Sequence, residues 1–180
     1  MTKQLSTLLI VSALIAIVLI SGIYFYFKNR TNLASISDFD SCLASGFPIM
    51  ESYPRLCKTS DNRTFKEYIG NGIEKANLIR VNFPKPNELI KSPLVITGEA
   101  RGSWFFEASF PVRIADSNGD TLVSGVAQAQ GNWMTTDFVP FKLEFKFAPA
   151  PTKKGAIIFS KDNPSGLPEH DDELVVPIEF

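Results

Sequence analysis

Apolar and charged residues alternate strictly through Phe141-Lys142-Leu143-Glu144-Phe145-Lys146-Phe147. Successive side chains of a strand point to opposite faces, so this pattern predicts a strand with one face on a core and the other in water. Six more alternating or short apolar stretches predict six further strands; they lie at 79–83, 94–100, 104–114, 121–130, 156–161 and 174–180. Seven strands in about a hundred residues, without a helix long enough for a crossover, predict an all-β fold: an immunoglobulin-like antiparallel sandwich over residues 78–180.

Several motifs occur in order along these predicted strands. They are Ile79-Arg-Val-x-Phe-Pro-x-Pro86, Ser92-Pro-Leu-x-Ile-x-Gly-x-Ala100, Phe106-Glu-Ala-x-Phe-Pro-Val112, Asp116-x-Asn-Gly119, and the closing Pro164-Ser-Gly166 and Val176-Pro-Ile178. The series resembles the immunoglobulin-like domain of bacterial spore germination proteins that is associated with GerMN domains. The resemblance implies an extracytoplasmic module with an undefined ligand and no established catalytic residue. Within these 180 residues the chain differs by carrying a Cys-containing segment and no GerMN domain.

Residues 5–27 carry no charged side chain. At about 1.5 Å per residue, a helix over this run spans roughly 34 Å, which is enough for a hydrocarbon core of about 30 Å. The aromatic cluster at 24–27, followed by Lys28 and Arg30, is typical of a membrane interface. A signal peptide has a shorter apolar region and an A-x-A-like cleavage site, which this stretch lacks. The sequence therefore predicts a single-pass transmembrane anchor within residues 1–30, with the lipid bilayer as its partner.

Between the anchor and the sandwich we expect a tether at 31–35, a small two-Cys module at 36–68 and a linker at 69–77. Cys42 and Cys57 are 15 positions apart and are the only cysteines. A disulfide between them would contribute about 3 kcal/mol in the chain-entropy model, and would suit a segment too short to build its own core. Asp38 is positioned to cap a short helix that carries Phe39 and Cys42.

The Cys pair also bears on orientation and on function. Cationic groups flank both ends of the predicted span, so charge does not orient it. Disulfides persist outside the cytoplasm, and the sequence therefore predicts an extracytoplasmic C-terminal region. The module resembles a C-x3-G-x-P…S-Y-P-x-x-C…T-F-x-E segment found in membrane-anchored envelope proteins of bacteria. Its stretch 61–65 also resembles part of Kazal-type protease inhibitors, which leaves an inhibitor loop as an alternative, although those proteins use three disulfides.

Charge and composition exclude several classes of function. Lys and Arg number 18 and Asp and Glu number 19, which gives a formal charge of −1 and no basis for a nucleic-acid partner. Three of the basic residues and none of the acidic ones lie within residues 1–30, so residues 31–180 carry a net charge of −4. One His and two Cys leave little material for a transition-metal cage or a His-based triad.

Motifs for catalysis are absent from the sequence. It contains no G-x-S-x-G elbow, Walker loop, H-E-x-x-H or dinucleotide fingerprint. His170 lies in a charged run that is typical of a solvated loop. Asp171, Asp172 and Glu173 form a carboxylate cluster that could hold calcium, but they lack the regular ligand spacing of a calcium loop. Asp116, Asn118 and Asp120 alternate like calcium ligands, but a hairpin turn explains them without an ion. We therefore expect no enzyme activity, cofactor or metal, with a carboxylate-dependent cell-wall hydrolase as the alternative.

The sequence offers better candidate residues for binding than for catalysis. Trp104, Phe105, Trp133 and Met134 flank strand ends, where the loops of a sandwich gather. If Phe106 points inward, alternation turns Phe105 outward, and an exposed aromatic pair could stack on sugars or contact a protein. The competing interpretation is that both tryptophans close the ends of the core. The sequence thus predicts a membrane-anchored, extracytoplasmic binding or scaffolding protein that contacts cell-wall glycan or another envelope protein.

Overall fold

The structure is a computed structural model that describes residue 17, residues 19–23 and residues 33–180. The chain divides into two compact units, Met1–Glu67 and Tyr68–Phe180. Most of the predicted membrane span, residues 5–27, lies outside the described residues. Residues 17 and 19–23 are helical, and the described part of the chain contains no helix that is both long and apolar enough to cross a membrane.

The first unit contains one short helix and a small antiparallel sheet. A 3-10 turn at Leu33–Ser35 is followed by α1 (Phe39–Ala44), β1 (Ile49–Met50), β2 (Leu56–Lys58) and β3 (Thr64–Lys66), with the sheet order β1-β2-β3. Asp38 caps α1, as predicted: its carboxylate accepts a hydrogen bond from Ser41 N at 2.8 Å. The Ser41 hydroxyl accepts in return from Asp38 N at 3.1 Å, which completes a reciprocal cap.

A disulfide holds this unit together. It joins Cys42 on α1 to Cys57 on β2, with 6.1 Å between their Cα atoms. Both cysteines are fully buried and pack with Ile36 and Phe39. Four partly buried apolar side chains surround them: Leu33, Phe47, Ile49 and Phe65. The expectation that the module has no core of its own is therefore wrong, because the disulfide is part of a small buried cluster.

The second unit is a β-structure that follows one helical turn, α2 (Gly72–Lys75). Its strands are β4 (Ile79–Phe83), β5 (Glu88–Leu89), β6 (Leu94–Arg101), β7 (Ser109–Asp116), β8 (Thr121–Ala129), β9 (Phe138–Phe145), β10 (Lys154–Ser160) and β11 (Glu173–Glu179). Seven of them correspond to the predicted strands. The eighth, β5, is two residues long and pairs parallel to β11.

The eight strands form one sheet in the order β4-β6-β9-β8-β7-β10-β11-β5. β6 and β9 pair at eight positions, whereas β8 and β9 pair only at Gln128↔Lys142 and Ala129↔Phe141. This narrow joint lets the sheet curl so that its two halves share one core, with Ile96 and Phe141 from one half and Phe110 and Phe159 from the other. The all-β, immunoglobulin-like prediction is consistent with this architecture, although the two predicted sheets are joined.

The third predicted strand is shorter than expected. A 3-10 turn at Gly102–Trp104 precedes it, and Glu107 and Ala108 have positive φ values of 49° and 63°. These two residues turn the chain, so the strand begins at Ser109 instead of 104. The period-two alternation fails across this stretch, and Phe105 is buried while Phe106 is 41% exposed.

Residues 69–77, whose composition predicts a linker, pack within the second unit. Ile69 is buried, and the Asn71 side chain pairs with the edge of β11 as a strand would. Its Nδ2 donates to Glu173 O at 2.9 Å, and its Oδ1 accepts from Val175 N at 2.8 Å. These two bonds satisfy edge groups of β11 that β5 does not reach.

Candidate functional site

An open groove lies at one end of the second unit. It has a volume of about 610 Å³, which is within the usual range of ligand sites. Its apolar lining consists of Ile90, the aromatic residues Phe147 and Phe180, and the run Ala148-Pro149-Ala150-Pro151. The polar residues that line it are Lys91, Ser92, Thr152 and Lys153.

The groove forms where strand pairing stops. β9 ends at Phe145, two residues before the predicted strand does, so Phe147 leaves the ladder. Its backbone N–H donates to the Ser92 hydroxyl at 3.0 Å, which fixes the start of the connection between β9 and β10. The two prolines in that connection lack N–H groups and hold φ near −65°, so they favour an irregular, stiff wall over a strand.

The two phenylalanines form the aromatic part of the groove. Their ring centroids are 6.3 Å apart with an interplanar angle of 69°, an edge-to-face arrangement. A Cβ added at Gly155 would collide with the Phe180 ring and the Ala115 carbonyl oxygen. The missing side chain of Gly155 thus makes room for Phe180 beside Phe147.

The charged side chains of the groove are both cationic. Lys91 and Lys153 are exposed, and neither takes part in an ion pair within the described residues. No Asp or Glu side chain is among the described residues that line the groove. The groove thus offers apolar surface and positive charge, and it lacks the two carboxylates that glycoside hydrolysis requires.

Three of the four predicted binding residues are not freely exposed. Trp104 and Phe105 are 1% and 4% exposed and belong to the core. Trp133 is partly buried against the same core, and Met134 alone is open, at 75%. The prediction that Phe105 faces outward is wrong because the turn before β7 breaks the alternation. The tryptophans instead close the core, which was the competing interpretation.

The groove was not predicted from the sequence. Phe147 continues the alternation, which therefore predicts that it belongs to a strand. The run Ala-Pro-Ala-Pro predicts a connection between strands but does not indicate a binding groove. The available signal was the pair of prolines directly after an apolar alternation, since proline cannot continue a central strand.

Three of the five carboxylates considered as calcium ligands, Asp116, Asp171 and Asp172, have other partners. Asp116 Oδ1 accepts hydrogen bonds from Asn118 N at 2.9 Å and Asp120 N at 3.0 Å, which makes it the acceptor of a hairpin turn. Asp171 accepts from Asn163 Nδ2 at 2.7 Å, and Asp172 pairs with Lys75. No three His, Cys, Asp or Glu side chains in the described ranges are grouped as a metal site would require.

His170, the only histidine, lies in an exposed 3-10 turn. Its Nδ1 is 3.0 Å from Ser165 Oγ. That hydroxyl is also 2.5 Å from Asn163 Oδ1 and accepts from Leu167 N at 3.3 Å. The serine therefore serves the conformation of the loop.

No curated protein and no solved structure was found to match the chain. One family model does match it, and this match confirms the resemblance that the motifs suggested. Strands β4–β10 and the groove residues 90–92 and 147–153 lie within the matched region, 78–166, whereas β11 and Phe180 lie outside it. Residues 78–166, just under half of the chain, match the family model described as the immunoglobulin-like domain of bacterial spore germination, named Gmad2.

Proposed function

We propose that the protein is a membrane-anchored, extracytoplasmic binding or scaffolding protein. Its N-terminal segment, predicted from residues 5–27, would hold the chain in the cell membrane with the C-terminal region outside the cytoplasm. Its immunoglobulin-like domain would contact cell-wall material or another envelope protein. Membership of the matched region in a germination-associated family supports a role as a module, since the family is described by its fold and not by a reaction.

The observation that carries the binding role is the groove lined by Phe147 and Phe180. It is a concave, mostly apolar space of about 610 Å³. Exposed apolar surface that is concave and rimmed by polar groups marks a binding site more often than a packing defect. The buried disulfide supports the location, because disulfides persist in oxidising compartments.

Two other functions have less support. A carboxylate-dependent wall hydrolase needs two acidic side chains beside its cleft, and the described groove presents lysines instead. A Kazal-like inhibitor loop needs a rigid scaffold of several disulfides, and this chain has cysteines for one. Neither function has an observation that favours it.

The experiment is a pull-down from solubilised envelope fractions with the full-length chain in detergent. Ala148→Trp places a large side chain on an exposed residue that lines the groove. Ser124→Trp, on the exposed face of β8, adds the same volume outside it. We expect the native chain and Ser124→Trp to capture the same component and Ala148→Trp to lose it. Equal capture by all three proteins would remove the groove from the proposed function.

A further inference from the structure

The chemistry of the groove narrows the class of ligand. The second unit, 68–180, contains 11 basic and 14 acidic residues, so its net charge is −3. Within the described lining this sign is reversed, since Lys91 and Lys153 have no acidic neighbour there. A concave surface with low-dielectric walls concentrates the field of the charges that line it. The two lysines therefore favour a ligand that carries negative charge.

The hydrogen-bonding groups of the groove do not favour a glycan as its ligand. Ser92 Oγ already accepts from Phe147 N. Thr152 Oγ1 donates to Lys154 O at 2.8 Å and accepts from Ser117 N at 3.2 Å. A neutral, polyhydroxylated sugar would find donors in the Ser92 hydroxyl and the two lysines but no carboxylate or amide side chain to accept its hydroxyl hydrogens, which costs binding free energy. The side chains that remain available are apolar or cationic.

A peptide meets both conditions. Its aliphatic or aromatic side chain can pack on Phe147 and Phe180, while carboxylates beside it pair with Lys91 and Lys153. The prolines at 149 and 151 stiffen one wall of the groove, so little conformational entropy is lost when a ligand lies against it. On these grounds we propose that the groove binds an extended acidic, apolar peptide segment of another envelope protein. This inference rests on the proposed binding function and decides between the two partner classes that the sequence left open.

The test measures the binding of three probes to the full chain in detergent. Binding is monitored by NMR at low ionic strength. The probes are a capped peptide containing Glu-Phe-Leu-Glu, the same peptide with Gln in place of Glu, and a tetramer of N-acetylglucosamine. We expect the acidic peptide to bind with the best affinity and to shift the amide signals of Phe147, Ala150 and Phe180. Lys91→Gln and Lys153→Gln should each weaken its binding by about two- to fivefold, as for a partly solvated ion pair. Lys142→Gln, an exposed lysine of β9 outside the groove, is the matched control and should leave the affinity unchanged.

The double variant Lys91→Gln/Lys153→Gln should bind the two peptides equally. The inference is overturned if the native groove binds both peptides equally, if the double variant keeps the preference for the acidic peptide, if the glycan alone binds, or if no probe binds at millimolar concentration. Loss of envelope capture by Ala148→Trp in the pull-down would then still support the groove as a binding site. In that case an acidic peptide is rejected as the ligand, and the proposed binding function is retained.

Discussion

Single residues of the turn before β7 hold an unusual backbone conformation. Glu107 and Ala108 are the two central residues of a tight turn in which Phe106 and Ser109 exchange hydrogen bonds of 3.0 Å in both directions. Both have positive φ, the pattern of a type I′ turn, which usually requires Asn or Gly. For an alanine this conformation costs roughly 1–2 kcal/mol.

Ala108→Gly should therefore raise the free energy of unfolding by about 0.5–1 kcal/mol, because glycine removes the steric cost and loses only part of the gain to chain entropy. Urea denaturation of the full chain measures it. The same substitution at Ala129, in β8, should lower stability, since glycine weakens a strand. Destabilisation by both changes would show that the turn at 108 is not strained.

The packing around Gly98 explains why the motif at 92–100 contains a glycine. It pairs with Phe141 in the β6–β9 ladder, and a Cβ at this position would collide with the Phe141 ring and the Arg80 carbonyl oxygen. Gly98→Ala should lower the free energy of unfolding by about 1–3 kcal/mol through overpacking. Gly131→Ala, where a Cβ meets nothing closer than Val139 at 4.0 Å, is the control and should change stability little. A neutral Gly98→Ala would contradict the packing described for the core.

The Asp61 carboxylate gives the first unit a dependence on pH. The Thr59 hydroxyl and then Arg63 bind it and hold its pKa below the usual value. Its contribution to stability is present above the unfolded-state pKa of about 3.9 and is lost as the pH falls through the lower folded-state pKa. In an NMR titration, Thr59→Val should raise the pKa of Asp61 towards 3.9. An unchanged pKa would mean that the Thr59 hydroxyl does not stabilise the carboxylate.

At the scale of elements, the seven strands were predictable because each carries a local pattern of alternation or apolar residues. Their ends were less predictable, because they depend on backbone geometry that a pattern does not encode. The turn at 107–108 has neither Asn nor Gly, and Phe147 continues the alternation after its ladder has ended. The groove arises where β9 ends early at Phe145, together with a ring that Gly155 accommodates, so its parts are distant in sequence.

The segment 69–77 shows the same limit. Its polar and glycine-rich composition is typical of a linker, yet the Asn71 amide closes two hydrogen bonds on β11. Asn71→Ala should lower stability by about 1–2 kcal/mol by leaving edge groups of β11 unpaired, and hydrogen exchange should accelerate at Val175. Asn87→Ala, which removes a bond to Tyr68 O and leaves the bonds of Asn71 to β11 in place, should leave exchange at Val175 unchanged. Unchanged exchange at Val175 would indicate that Asn71 does not stabilise β11 and that the segment acts as a linker.

At the scale of the whole molecule, the two units have separate cores. The disulfide and the two buried residues that pack on it, Ile36 and Phe39, belong to the first unit, whereas the large core belongs to the sheet of the second. Reduction should therefore destabilise residues 33–67 by about 2–5 kcal/mol and leave β4–β11 folded. Hydrogen exchange monitored by mass spectrometry, with and without reductant, measures both. Cooperative loss of protection in β4–β11 would contradict the independence of the two cores.

The central claim of the proposed function is that the immunoglobulin-like domain lies outside the cytoplasm. Met134 is 75% exposed on that domain, so Met134→Cys introduces a thiol that a membrane-impermeant maleimide can reach. In intact expressing cells, the account predicts labelling as complete as after permeabilisation, while a cytoplasmic protein with an exposed cysteine stays unlabelled. Labelling of Met134→Cys that appears only after permeabilisation would contradict it.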